Sequence, residues 1–286
     1  MMQNNYIEIR PTQDLAYRKC FSSLGNEDIL AGLIEDFFGF RPKDVTIVSP
    51  YNISEYWEIY KRISECEGTE EAFEERNRLI HTLTDIEADL VVGDYTSEMQ
   101  AYKSDFFEVR SIYYPFSRFS AGFNRAGNRY GDLRPMYALN ILTKPFFKHD
   151  AAVKSFELFD PFLGIPMDKE WLRIVYFELT KDGFRNDNQA LWKKFFLGEQ
   201  IPDWAPDYIK KAKQVIDISN FGKEERAMVT ALELAKADSE AYLNTAKTEG
   251  RAEGRAEVAK KLKEEGAEKA LILKVTGISE EEYDAL

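Results

Sequence analysis

ADLVVGDYTSEMQ, residues 88–100, alternates apolar and polar positions on both sides of a Gly93-Asp94 pair. Alternation with a period of two marks a half-buried strand, and Gly-Asp is a favoured two-residue hairpin loop. The stretch reads as the heart of a hairpin over residues 79–102. Counting outward from the loop pairs Val92 with Tyr95, Leu90 with Ser97, Asp89 with Glu98 and Glu87 with Gln100. One face carries Ile86, Ala88, Leu90, Val92, Tyr95, Ser97, Met99 and Ala101, and is core. The other carries Asp85, Glu87, Asp89, Glu98 and Gln100, and His81 points the same way.

An Asp opposite a Glu is costly, because like charges on facing strands repel. Directly opposed Cβ atoms lie about 4.5–5.5 Å apart, so two such carboxylates can share one hard cation. Magnesium is held in this way, by one or two carboxylates, several waters and phosphate oxygens. The competing reading is a solvated polar face on a half-buried hairpin.

Composition narrows the alternatives. The chain has 286 residues, 44% of them hydrophobic, enough for a large domain with an appendage. Its two cysteines, Cys20 and Cys66, form no Cys-x-x-Cys pair, and its two histidines rule out a multi-histidine metal centre. No signal-like start and no membrane-length apolar run are present, so the expectation is a soluble cytoplasmic protein with no membrane partner. The net charge of −12 does not suit a general nucleic-acid coat.

Along the chain, DLAYRKCF predicts a short helix with Asp14 in reach of Arg18, and NEDILAGLIEDFF a second helix with Asn26 as N-cap and Gly39 as stop. VTIV (45–48), MYALNIL (136–142), SFELF (155–159) and LRIVYFEL (172–179) predict strands. Helices are expected over 104–121, with a disturbance at Pro115, and over 187–198, 205–216 and from about 221 to 265. Residues 53–78 are charged and read as a helical insertion. Strands interleaved with helices predict an α/β mixed sheet with helices on its faces. The expected division is a sheet domain over 1–220 and a helical tail over 221–286.

The same residues resemble a family. An Asp in one strand, a turn, then Glu-x-Gln in the next is similar to the PD-(D/E)XK nuclease superfamily, and more closely to the Rpn-like recombination-promoting nucleases, also called PD-(D/E)XK family transposases. DLAYRKCF is similar to that group's opening Asp-x-x-Phe-Lys-x-x-Phe. ADLVVGDYTSEMQ resembles its core motif, VRSIYY its Arg and Tyr pair, NRYGDLRPMYALNIL its Tyr-x-x-Leu-x-Pro strand, and RIVYFELTK its Glu-Leu-Pro-Lys strand, with Thr180 in place of Pro. The tail EGRAEGRAE and its closing Thr-Gly are similar too. The superfamily's usual third residue is Lys; Gln100 is the residue expected in the Rpn-like group, and glutamine can orient water or oxygen only by hydrogen bonds.

The resemblance implies a restriction-endonuclease-like fold and metal-dependent hydrolysis of DNA phosphodiester bonds, tied to recombination or transposition. Asp89, Glu98 and Gln100 would be catalytic. Asp89 and Glu98 would hold Mg2+ or Mn2+, and Glu87 is either a further ligand or a solvated strand carboxylate. Some superfamily members take a further carboxylate from the first long helix; Glu35 and Asp36 are the candidates there, with ordinary surface residues as the alternative, and Asp14 matches a family motif position, with a helix N-terminal charge paired with Arg18 as its alternative.

Residues 103–134 hold six basic and three acidic side chains, a net of +3 within the acidic whole. Lys103, Arg110, Arg118, Arg125 and Arg129 are the candidate DNA contacts, with a core helix whose arginines reach solvent as the alternative. In the tail, Gly250 and Gly254 weaken an isolated helix by about 1 kcal/mol each. The repeat offers no opposite-charge pair at i,i+3 or i,i+4. A partner helix, and hence a homo-oligomer, is one reading; a solvated tail is the other. After Gly277, an expected C-cap, SEEE from Ser279 to Glu282 fits a capping box for a last helix.

Overall fold

The computed structural model describes residues 9–65, 86–100, 106–125, 127 and 129–286. His81, Asp85, Ala101, Lys103 and the stretch 66–78 of the expected insertion lie outside the described residues. The chain divides into two compact units, Met1–Ala231 and Leu232–Leu286.

The first unit begins with helices α1 (Asp14–Ser22) and α2 (Glu27–Phe38), strand β1 (Val45–Ile47) and helix α3 (Ile53–Glu65). Strands β2 (Ile86–Leu90) and β3 (Gly93–Gln100) follow, then helix α4 (Phe107–Arg125) and strand β4 (Met136–Leu142). Next come β5 (Val153–Glu157), the small hairpin β6 (Phe159–Asp160) and β7 (Ile165–Pro166), and β8 (Leu172–Glu178). Helices α5 (Asp187–Phe196) and α6 (Asp207–Val215) close the unit, before the long helix α7 (Lys223–Glu264) begins.

The main sheet has the order β1-β2-β3-β4-β8-β5. Pairs β1–β2, β2–β3 and β5–β8 are antiparallel; β3–β4 and β4–β8 are parallel. A parallel neighbour needs a crossover, and α4 supplies it between β3 and β4. The expected mixed sheet flanked by helices is therefore present, with a helical C-terminal region.

Two cores cover its faces. On one side Tyr17, Phe21, Phe37 and Phe38 from α1 and α2 meet Trp192, Phe195 and Phe196 from α5 and Tyr95 and Phe177 from the sheet, all buried. Burying each such side chain contributes about 1.5–3 kcal/mol. On the other side Phe107 of α4 packs with Ala138, Leu142, Ile174 and Tyr176. Asp36 organises the first layer: its carboxylate accepts from Trp192 Nε1 at 2.8 Å, Asn188 Nδ2 at 2.8 Å and Tyr208 Oη at 2.9 Å. Burial pushes its pKa up, and those donors hold it back. Buried Glu178 anchors the β4–β5 connection, accepting from Phe146 N at 2.7 Å and pairing with Lys154 and Lys181.

Several local expectations meet the structure directly. Gly39 and Gly277 terminate their helices at φ of 79° and 68°, in the left-handed region that suits glycine. A capping box links Ser279 and Glu282. Contrary to the expected disturbance at Pro115, α4 is one continuous helix from Phe107 through Pro115 to Arg125, four residues beyond the expected end. Asn26 stands at the N-cap of α2, but its side chain makes no cap; it donates instead to Cys20 O at 3.1 Å, tying α2 to α1.

The hairpin register differs from the expected one. Leu90 pairs with Gly93, Asp89 with Asp94, Glu87 with Thr96 and Ile86 with Ser97, so Val91-Val92 is the turn. The reason lies outside the hairpin. A Cβ at position 93 would sit 2.6 Å from Pro135 O and 2.8 Å from the Tyr137 ring, and Asp94 N donates to Pro135 O at 2.8 Å. Gly93 is thus spent on close approach to β4 rather than on a turn. The slide is even, so the described strand residues keep their faces while their partners change; Val92, expected on the core face, is instead 47% exposed because it now lies in the turn.

In the second unit the end of α7, α8 (Lys269–Thr276) and α9 (Glu280–Asp284) enclose a small core of Ala259, Ile272 and Ile278, with Leu273 and Tyr283 against it.

Candidate active site

Strand β3 presents Asp94, Thr96, Glu98 and Gln100 toward α4, with Glu87 and Asp89 of β2 on the same side. Glu98 is 7% exposed and Gln100 8%. Arg110, one turn into α4, places a single guanidinium nitrogen 2.5 Å from Glu98 Oε1 and 2.5 Å from Gln100 Oε1. Two hard oxygen atoms thus converge on one point of positive charge.

Burial raises the pKa of Glu98; Arg110 opposes the shift, and the charge of Asp14 adds to it. Asp14 itself is buried at the start of α1. The structure thereby separates the three helix carboxylates. Asp14 lies within electrostatic range of Glu98, Asp36 is consumed in bonds to α5 and α6, and Glu35 pairs with Arg41 at 2.8 Å on the surface. Helix α1 is fixed to β3 by Tyr17 Oη, which donates to Ser97 Oγ at 2.7 Å.

Asp89 does not face Glu98. Its partner is Asp94, four residues earlier on β3, roughly 13 Å away along the strand at about 3.3 Å per residue. The like-charge opposition of the hairpin is real, but it belongs to Asp89 and Asp94, and arginines offset it. Arg134 contacts Asp89 at 3.5 Å and also holds Asp94; Arg118 reaches Asp89 at 3.0 Å and also binds Glu87; Arg125 binds Asp94. Arg110, Arg118 and Arg125 therefore turn toward the sheet and form a ladder against the carboxylate face. Arg129 is the outward one, 77% exposed and paired with Asp132 at 2.6 Å.

Between α4 and the sheet lies a cavity of about 590 Å3, lined by Glu98, Arg110, Arg118, Arg125 and Asn140 among others. Asn140 is beside Glu98 in the parallel register. Sequence reasoning passed over it, although an amide inside the apolar run MYALNIL was a visible signal. Among the described residues no cluster of three or more His, Cys, Asp or Glu side chains forms a metal site. The donor chemistry still suits a hard divalent ion: the carboxylate of Glu98 and the amide oxygen of Gln100 already converge on a cation.

A helix, three antiparallel strands, a crossover helix and a parallel strand, with Glu-x-Gln on the third strand, define a protein with the PD-(D/E)XK nuclease fold. The chain matches the profile of the PD-(D/E)XK nuclease family transposases over residues 83–246, more than half its length, and it belongs to that family. Comparison with curated proteins and with solved structures gave no match. Among the described residues no helix is long and apolar enough to cross a membrane.

Proposed function

We propose that the protein is a divalent-metal-dependent DNA endonuclease acting in recombination or transposition. The convergence of Glu98 and Gln100 oxygens on the Arg110 cation, beside a cavity lined by arginines, is the observation that carries this reading. Glu98 would hold Mg2+ or Mn2+ with the carboxylate of Asp14, and Gln100 would orient water or an ion-bound oxygen. A bound ion supplies Lewis acidity to the phosphate and lowers the pKa of the attacking water. The arginines neutralise phosphate charge, and α4 shields the cavity from solvent.

Asp89 and Glu87 are the remaining candidates from the sequence. Their arginine partners fit a supporting role for both: they hold Arg118 against the sheet.

The test is cleavage of supercoiled and single-stranded DNA with Mg2+, Mn2+ or chelator. Wild type is expected to cut only with a divalent ion, and Glu98→Gln to lose activity by about 10²-fold or more. Cutting that persists in chelator, or in Glu98→Gln, would sink the proposal. The second reading, a non-catalytic interaction or DNA-binding protein that oligomerises through its tail, is favoured by how fully the arginine ladder satisfies Glu87, Asp89 and Asp94. It requires tight DNA binding with no cleavage under any ion.

A further inference from the structure

Strand β4 is buried at every position, and Asn140 is the one amide in it. It lies on the α4 side between Ala138 and Leu142, and is 4% exposed. Its Nδ2 has no hydrogen-bond partner among the described residues. A buried donor left unpaired destabilises the fold, a cost that leucine at the same place would not incur.

Its neighbours in the sheet are satisfied. Glu98 on β3 is held by Arg110, and Tyr176 on β8 meets Ser111 Oγ at 2.8 Å. Asn140 is thus the member of this polar row with donor capacity to spare, and it lines the cavity shared with Glu98, Arg110 and Arg118. An amide N–H repels a cation and seeks an oxygen acceptor. With guanidinium groups around the same cavity, an anionic oxygen is the acceptor that fits.

We infer that Asn140 is a substrate-contacting residue whose side-chain N–H donates to a non-bridging oxygen of the phosphodiester held beside Glu98. The inference rests on the DNA-cleaving function proposed above, and it names the group that receives the substrate there. An unpaired donor aimed where charge will sit needs no rearrangement when the substrate arrives, which is the arrangement that favours catalysis.

The experiment compares full-length wild type with Asn140→Leu and Asn140→Asp. Melting temperature is measured first, then affinity for a short DNA duplex by fluorescence anisotropy, in Ca2+ and in chelator, and finally cleavage in Mg2+. Asn140→Leu is expected to melt at the same temperature as wild type or higher, because it removes an unpaired buried donor. Its affinity for the duplex should fall about tenfold or more, with cleavage falling in parallel. Asn140→Asp should bind more weakly still, since its carboxylate faces the phosphate. Affinity unchanged in Asn140→Leu would overturn the inference. So would a melting temperature that drops along with affinity, which would assign Asn140 to the fold. A wild type that binds the duplex but never cuts sinks the nuclease reading and leaves the binding comparison to decide Asn140. A wild type that binds no DNA overturns both.

Discussion

Arg110 occupies the point on which Glu98 and Gln100 converge, so a divalent ion taking those oxygens must displace its guanidinium. Removing the competitor should favour the ion. Arg110→Gln is expected to show a larger rise in melting temperature with millimolar Mg2+ than wild type does, by ligand linkage. It should also bind DNA more weakly, because the released guanidinium is lost as a phosphate contact. Equal Mg2+ responses in the two proteins would place the ion elsewhere.

Glu98 carries a second prediction at the same scale. Its folded pKa is raised, chiefly by burial. A carboxylate with a raised folded pKa binds protons more readily in the folded state than in the unfolded one, so stability falls as pH rises from about 4.3, the unfolded value, through the raised value. Glu98→Gln removes that cost. It should melt higher than wild type at pH 7–8, with the difference shrinking as pH falls toward 4. A gap that widens on acidification would show that Glu98 stabilises the fold as an anion.

At the scale of elements, α4 does two jobs with one set of side chains. Phe107, Ser111, Pro115 and Arg118 form its buried stripe, and its arginines descend the carboxylate face of β2 and β3. Arg118 is buried and bridges two strand carboxylates that are both more than a third exposed, so losing it removes two charge-assisted hydrogen bonds whose acceptors water partly screens. Arg118→Gln is expected to lower stability by about 1–3 kcal/mol. Arg129→Gln, at an exposed pair worth little to the fold, should leave the melting temperature unchanged and reduce the salt slope of DNA binding by about 1. Denaturant melts and affinity against salt for both variants check this. A normal melt for Arg118→Gln together with a reduced salt slope would show that α4 releases it to DNA.

The whole molecule is two units joined within one long helix. The glycines of EGRAEGRAE have nothing within 4 Å of where a Cβ would stand, so the described chain does not itself require them. If the repeat is a solvated helix, Gly250→Ala and Gly254→Ala should raise helicity and add about 1 kcal/mol each. If it receives a partner helix at close range, the same changes should lower the oligomeric state seen by light scattering. Ending the chain after Ala231 should leave the sheet unit folded, since Phe221, Met228 and Val229 remain to pack. It should reduce the mass of any oligomer. Loss of the cooperative melt on truncation would show that the sheet unit depends on the tail.

Much of this was legible in the sequence because it is decided locally. Alternation assigned the faces of the hairpin, and across the described strands those faces survive, Val92 alone being exposed by the turn; the apolar run MYALNIL marked β4, and Gly277 with Ser279 and Glu282 marked the last helix ends. The ordered motifs sufficed to identify the family. Tertiary structure decided what depends on distant neighbours. Gly93 reads as a turn until Pro135 and Tyr137 press against it, and that contact sets the register that parts Asp89 from Glu98. Arginines that read as solvent-facing turn inward because the carboxylates opposite them need neutralising. Asp14, rather than Glu35 or Asp36, comes within range of Glu98 because helix packing, not spacing along the chain, brings charges together. Periodicity is a property of a few consecutive residues, whereas register and ion pairing are settled by whichever long-range contacts bury the most surface and leave the least charge uncompensated.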